Sequence, residues 1–225
     1  MFAVIFEVQP RRERFDDYLG LAKQLKPKLE AIDGFIDNER FASRRTEGRL
    51  LSLSIWRDEK SVVRWRTNGE HHGVQEKGRL EIFEDYHLRV GEITADTAPP
   101  SGLHAEETRR DETATGVGKS CTITELSPSD GQGLAVEPEA LAGYLGLHPG
   151  ADGLLEQEVF ESITAPGKLL LLASWRDVAG ATTWRPAAVS GVVRQRHRLV
   201  RVIRDYGLSD RREAPQYFPH VHKGG

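Results

Sequence analysis

Three side chains in the first third of this sequence are of types that could act on one reacting oxygen. Trp65 carries an indole N–H, which donates and cannot accept. His71 follows six residues later and, titrating near neutrality, can take or relay a proton. Asn38 brings an amide that can donate to an oxyanion, provided that its strand face borders the same space. Each also has a plainer reading. Trp65 suits a packing anchor between helix and sheet, His71 and His72 suit the solvated end of a helix, and Asn38 suits an exposed strand position. The choice depends on the elements that carry them.

Those elements occur twice. GFIDNERFASRRTEGRLLSLSIWRDEKSVVRWR begins at Gly34, and GLLEQEVFESITAPGKLLLLASWRDVAGATTWR begins at Gly153, 153 − 34 = 119 residues later. From Asp33 to Asp58, 12 of 26 positions are identical at that offset, which is more than composition produces by chance and indicates a duplication. Trp56 and Trp65 pair with Trp175 and Trp184, but His71 falls opposite Ser190 and His72 opposite Gly191. Chemistry that needs His71 is therefore expected in the first copy alone. Toward the ends, Arg79 aligns with Arg198 and Leu80 with Leu199, while Asp85-Tyr86 aligns with Asp205-Tyr206 at an offset of 120. That slip predicts one inserted residue, a bulge, in the second copy's last strand.

Within each copy the pattern reads as strand, helix, two strands, helix, strand. FAVIFEV opens the first copy and TITEL, just after Cys121, the second. Phe15, Tyr18, Leu19, Ala22, Leu25, Leu29 and Ile32 recur at helical spacing, with a kink predicted at Pro27, whereas PEALAGYLGL promises only a reduced helix in copy two. Strands over 35–43 and 50–56 are joined by a glycine turn, TEGR or APGK. Asp58 and Asp177 are the expected N-caps of the next helices. The resulting βαββαβ unit leaves one sheet face bare, and a second such sheet would cover it. The expected fold is thus α+β: two tandem ferredoxin-like domains packed sheet to sheet as a pseudo-dimeric α+β barrel, able to enclose a cavity between the sheets. The expected divisions are domains at 1–95 and 120–210, a Thr/Ala/Gly/Pro-rich linker at 96–119 and a C-terminal tail at 211–225.

A unit of this order, a hairpin ending in SIWRD and a helix running into RWRTNGEHH together resemble the antibiotic biosynthesis monooxygenase family, whose fold is the dimeric α+β barrel. The resemblance covers residues 1–93 and, more weakly, 121–210. It implies a pocket tryptophan at Trp65 and a histidine at His71 in the family's W-x5-H spacing. The function it implies is cofactor-independent oxygenation of an aromatic or quinol-like molecule, in which the substrate's own anion reduces dioxygen. Trp65 and Asn38 would then hold the oxyanion and His71 would move the proton. Haem-degrading members of this fold place an Asn on the first strand and an axial His about ten residues after the tryptophan. Here Glu7 and Gln75 stand at those places, so no resident cofactor is expected; a haem-binding or haem-degrading oxygenase, with His71 or His72 on the iron, is the lesser alternative. A non-catalytic binding protein for a hydrophobic metabolite is the alternative.

Composition narrows the partners. The 225 residues carry a net charge of −3 with both signs interspersed, which offers no field for nucleic acid or an acidic membrane surface. No apolar run approaches a membrane span and no secretory start is visible, so a cytoplasmic location is expected. The lone Cys121 reads as a small apolar residue opening a strand, and no metal site is expected. In the tail, PQYFPHV could fold over a domain or reach into a neighbouring chain, and the latter would suit a homo-oligomer. His220 and His222 have a chelating spacing but lack a nearby third ligand.

Overall fold

A computed structural model describes residues 1–128 and 137–214. The first copy comprises β1 (Phe2–Pro10), α1 (Phe15–Glu30), β2 (Phe35–Ser43), β3 (Leu50–Trp56), α2 (Glu59–Arg66), α3 (Gly69–Lys77) and β4 (Phe83–Asp96). The second comprises β5 (Ser120–Pro128), α4 (Leu141–Tyr144), β6 (Leu154–Ser162), β7 (Leu169–Trp175), α5 (Val178–Thr183) and β8 (Val192–Gly207). PQYFPHV, His220 and His222 lie outside the described residues.

The architecture is α+β, and the eight strands close a barrel in the order β1-β3-β2-β6-β7-β5-β8-β4, with every pairing antiparallel. The copies join edge to edge twice: β2 pairs with β6 over Phe41–Ser43, and β4 pairs with β8 from His87 to Asp96. Closure gives every strand a neighbour on both sides, the β2–β6 seam being the shortest at three residues of each strand. Alternation along each strand sends Ile5, Phe41, Leu53, Ile93, Ile123, Phe160, Leu172 and Val200 inward, one from each strand, into a single cluster. These side chains fill the barrel, so the cavity expected between the sheets is corrected: that space is core. Cys121 opens β5 as expected and is buried there.

Charged residues close the core at both ends in a repeated pattern. Glu7 on β1 meets Arg89 on β4 and lies 2.5 Å from Arg49, which is 3.7 Å from Glu158 of the other copy. Glu125 on β5 meets Arg198 on β8 and lies 2.7 Å from Lys168, which bonds Glu39 of the first copy. Burial opposes ionisation of both carboxyls, but Arg89 and Arg49 hold Glu7 below its ordinary range, and Arg198 and Lys168 bring Glu125 down to about 2. Each group of four draws one Glu from the opposite copy and ties the halves together.

The last strands correct the sequence alignment. Ile5 pairs with Arg89 and Ile123 with Arg198, so Arg198 corresponds to Arg89 and not to Arg79. Copy two simply lacks α3 and the π-helical turn Gly78–Ile82 that follows it, which brings its last strand ten residues earlier. The bulge in β8, at Ile203 opposite Val90 and Gly91, is matched by one in β4 at Thr94, so it is common to both copies. Nor does copy two have a structural counterpart of His71, since Ser190 lies in the turn before β8.

Outside the barrel, α1 buries Tyr18, Ala22, Leu25 and Leu29 at the anticipated spacing and carries Pro27 within its last turn. Asp58 and Asp177 cap α2 and α5, accepting from the N–H of Ser61 and Gly180 at 2.8 Å. Gly48 and Gly167 turn the two hairpins with a φ of 76°, the left-handed region that favours glycine. Residues 97–119 follow the barrel wall: Glu92 accepts from the N–H groups of Thr108 and Arg109, and Leu103 and Ala105 pack on the core.

Candidate functional site

The cavity lies in copy one, between the outer face of β1–β4 and the layer formed by α1, α2, α3 and the π turn, and its volume is about 210 Å³. The strands present Val4, Phe6, Leu88 and Val90 to it, and the helices Leu21, Leu25 and Val74, which makes the walls largely apolar. Its polar groups are few and placed by identifiable local causes.

Asn68 explains His71. After α2 ends at Arg66, the Asn68 side chain accepts from the N–H of Glu70 and of His71, both at 3.2 Å, and starts a new helix. His71 therefore stands in the first turn of α3, which corrects the expectation that it ends the preceding helix. Its ring stacks on Trp65 with centroids 4.0 Å apart, and its Nδ1 lies 3.0 Å from the Trp65 carbonyl oxygen. A carbonyl only accepts, so Nδ1 carries the proton and Nε2 keeps its lone pair. Burial pushes the His71 pKa down to about 4, the Trp65 hydrogen bond opposes that shift, and His72 adds to it. The ring is neutral at physiological pH, with a basic nitrogen available.

Trp65 differs from the other three tryptophans. The Trp56 indole N–H donates to Ser54 Oγ at 2.9 Å, Trp175 to Thr122 Oγ1 at 2.9 Å and Trp184 to the Leu145 carbonyl at 3.3 Å. The Trp65 N–H meets no protein acceptor among the described residues, and its side chain lines the cavity, half-buried. Asn38 lines it as well, on the face of β2 opposite Glu39, but Nδ2 donates to Ser52 Oγ and to the Leu53 carbonyl, both at 3.1 Å. Its Oδ1, an acceptor, is what remains toward a ligand.

Several cavity residues escaped the sequence reading: Tyr18, Arg40, Ser52, Ser54 and the π turn. A signal existed for three of them. At the 119-residue offset Arg40 becomes Val159, Ser52 becomes Leu171 and Ser54 becomes Ala173, while the inward neighbours Leu51 and Leu53 stay leucine. In copy two those substituted positions pack with Leu141, Leu145, Trp175 and Trp184 into a filled cluster. The π turn closes one end of the cavity. A Cβ on Gly78 would come within 2.5 Å of the Phe83 ring, so only glycine lets the turn lie against it. As for the residues at the haem-type positions, Glu7 is committed to its interior ion pairs and Gln75 lines the cavity. Among the described residues no group of three or more His, Cys, Asp or Glu is arranged to hold a metal, and no helix is long and apolar enough to cross a membrane.

A family model described as antibiotic biosynthesis monooxygenase matches residues 1–77, a span that includes Asn38, Trp65 and His71. Jasmonate monooxygenase ABM of Pyricularia oryzae is 45% identical over 224 residues, 97% of this chain and 99% of that relative. The chain belongs to the antibiotic biosynthesis monooxygenase family. Membership agrees with the resemblance seen in the tryptophan-centred motifs. A shorter relative, YqjZ of Bacillus subtilis, is 29% identical over 92 residues, 41% of this chain and 78% of its own. Among solved structures, an anthrone oxidase-like protein aligns over 96% of each chain at 14% identity, with a TM-score of 0.36.

Proposed function

We propose that this chain is a monooxygenase acting on a small, largely apolar molecule in the copy-one cavity, with the substrate itself supplying the electrons. An aromatic or quinol-like compound suits that chemistry. Its hydroxyl gives a proton to His71 Nε2, the resulting anion reduces dioxygen, and recombination forms a carbon–oxygen bond as a hydroperoxide. Loss of water then leaves one oxygen atom on the substrate and the other in water. The observation that carries this reading is the Trp65–His71 pair, with a neutral imidazole fixed by the Trp65 carbonyl beside an indole N–H that meets no acceptor among the described residues.

A base with so low a pKa suits this step for a specific reason. Burial disfavours an isolated imidazolium, but one formed beside a substrate anion is half of an ion pair. The Trp65 N–H is available to the anion's oxygen. The same reading takes the barrel as a fused pair of ferredoxin-like units, of which the second covers the first. Jasmonate, a small and largely apolar carboxylate for which the Pyricularia relative is named, joins the compounds to be tried.

The test is oxygen uptake and product analysis with naphthoquinols, anthrones and jasmonate, comparing the wild type with His71→Ala. Turnover that falls about 10²- to 10⁴-fold in the variant supports His71 as the proton-transfer group. Undiminished turnover removes it from that role, and tight binding without oxygen uptake makes the chain a binding protein.

A further inference from the structure

The cavity is apolar in its walls yet uniformly cationic in its charges. Lys26, Arg40, Arg66, Arg79 and Arg211 line it, and among the described residues no Asp or Glu does. The whole chain has more acidic than basic residues, 34 against 31, so this excess is local. Arg40 is the member held on the sheet. It stands on β2 opposite Ser52, its Nε is buried without a hydrogen-bond partner, and it makes no ion pair among the described residues. The other strand arginines that are buried or half-buried each have a carboxylate: Arg89 has Glu7, Arg196 has Asp96, Arg198 has Glu125 and Arg201 has Glu107, and Arg49, just before β3, shares Glu7.

A guanidinium shielded from water favours an anion that matches its planar fork, and a carboxylate does so with two parallel hydrogen bonds. Beside it, the Tyr18 phenol lines the same cavity and is buried, and that burial pushes its pKa up against the opposing influence of the Arg40 guanidinium. Tyr18 therefore stays protonated with its O–H free to turn to the same anion. In copy two, where the cavity is filled, Val159 occupies the position of Arg40.

We propose that Arg40, with the Tyr18 hydroxyl beside it, anchors a carboxylate of the substrate, so that this site selects small organic acids with an apolar body. The inference rests on the copy-one cavity being the substrate site and adds the group that selects what enters it. The remaining basic residues of the lining contribute positive potential, and Arg211 is already engaged with the Tyr86 hydroxyl.

The full-length protein is titrated by calorimetry and tryptophan fluorescence with 1-naphthaleneacetate, its methyl ester and 1-naphthol. The acid should bind at least about tenfold tighter than the ester, as expected of a charge-assisted hydrogen bond lost on esterification. Arg40→Gln should abolish that preference while changing ester affinity less than about twofold. Arg40→Lys should keep part of it. Equal binding of acid and ester by the wild type, which requires no variant, overturns the proposal while leaving the cavity reading intact. A preference that survives in a folded Arg40→Gln, with its melting temperature checked, also overturns it. If none of the three ligands binds, the cavity reading and the Arg40 assignment fall together.

Discussion

The two copies are alike where they face inward and unlike where they face out. Inside the barrel the leucines of β3 and β7 coincide, and each copy builds the same buried charge group, Glu7 with Arg89 and Arg49 or Glu125 with Arg198 and Lys168. Outside, copy one lays α1, α2 and α3 over a face bearing Arg40, Ser52 and Ser54 and leaves a cavity, whereas copy two lays short helices over Val159, Leu171 and Ala173, which pack into a hydrophobic cluster among the described residues. Packing against the partner half constrains the inner face residue by residue. The outer face answers only to its own helices and could drift toward a ligand or toward solid core.

If the inner frame is truly shared, Glu7→Gln and Glu125→Gln should cost about the same, some 3–5 kcal/mol each in urea denaturation, because each leaves a buried guanidinium without its carboxylate. A difference of more than about 2 kcal/mol between the two would break the comparison.

A smaller effect should appear with pH, and in both halves. His71 in the cavity and His197 in the filled copy are each held at about 4, mainly by burial, with Arg185 adding to the shift at His197. Both are neutral in the folded chain at pH 7, but the unfolded chain takes up protons near pH 6.5. Stability should therefore be constant above about pH 6.5 and fall from there toward pH 4, by up to about 3 kcal/mol for each histidine. Urea midpoints between pH 7 and 4.5 should fall less steeply in His197→Gln, and bound ligand should reduce only the part due to His71. Loss driven by Glu125 comes later, as pH drops from about 4.5 toward 2.

The smallest change in stability should accompany the largest in binding. Ser52→Leu gives copy one the residue that copy two has at position 171. It should shift folding by no more than about 1 kcal/mol, since the Asn38 hydrogen bond that is lost is offset by cavity-filling carbon. Ligand binding should disappear from calorimetric titrations. Retained affinity would mean that the outer face of β3 does not border the site.

The frame was legible in the sequence because its signals are local or strictly periodic. Alternation at Leu51, Leu53 and Ile55, the glycine turns and the Asp58 cap each act within a few residues. α3 was not legible: in TNGEHHG two glycines suggest a helix that stops, and only the Asn68 hydrogen bonds make one start. The recurring Asp-Tyr pairs then misaligned the last strands, since the missing helix shortens copy two just before them. Trp65, His71 and Asn38 line one cavity. Arg40 and Ser52 look like ordinary surface residues on an alternating strand until helices are laid over that face.

Joining both halves in one polypeptide also sets a stoichiometry. Two identical chains forming such a barrel must carry two identical sites, because their symmetry copies every substitution into both. Here β2 pairs with β6 and β4 with β8 across different sequences, so the halves can change independently. With the proposed site in copy one alone, a titration should saturate at one ligand per 225-residue chain.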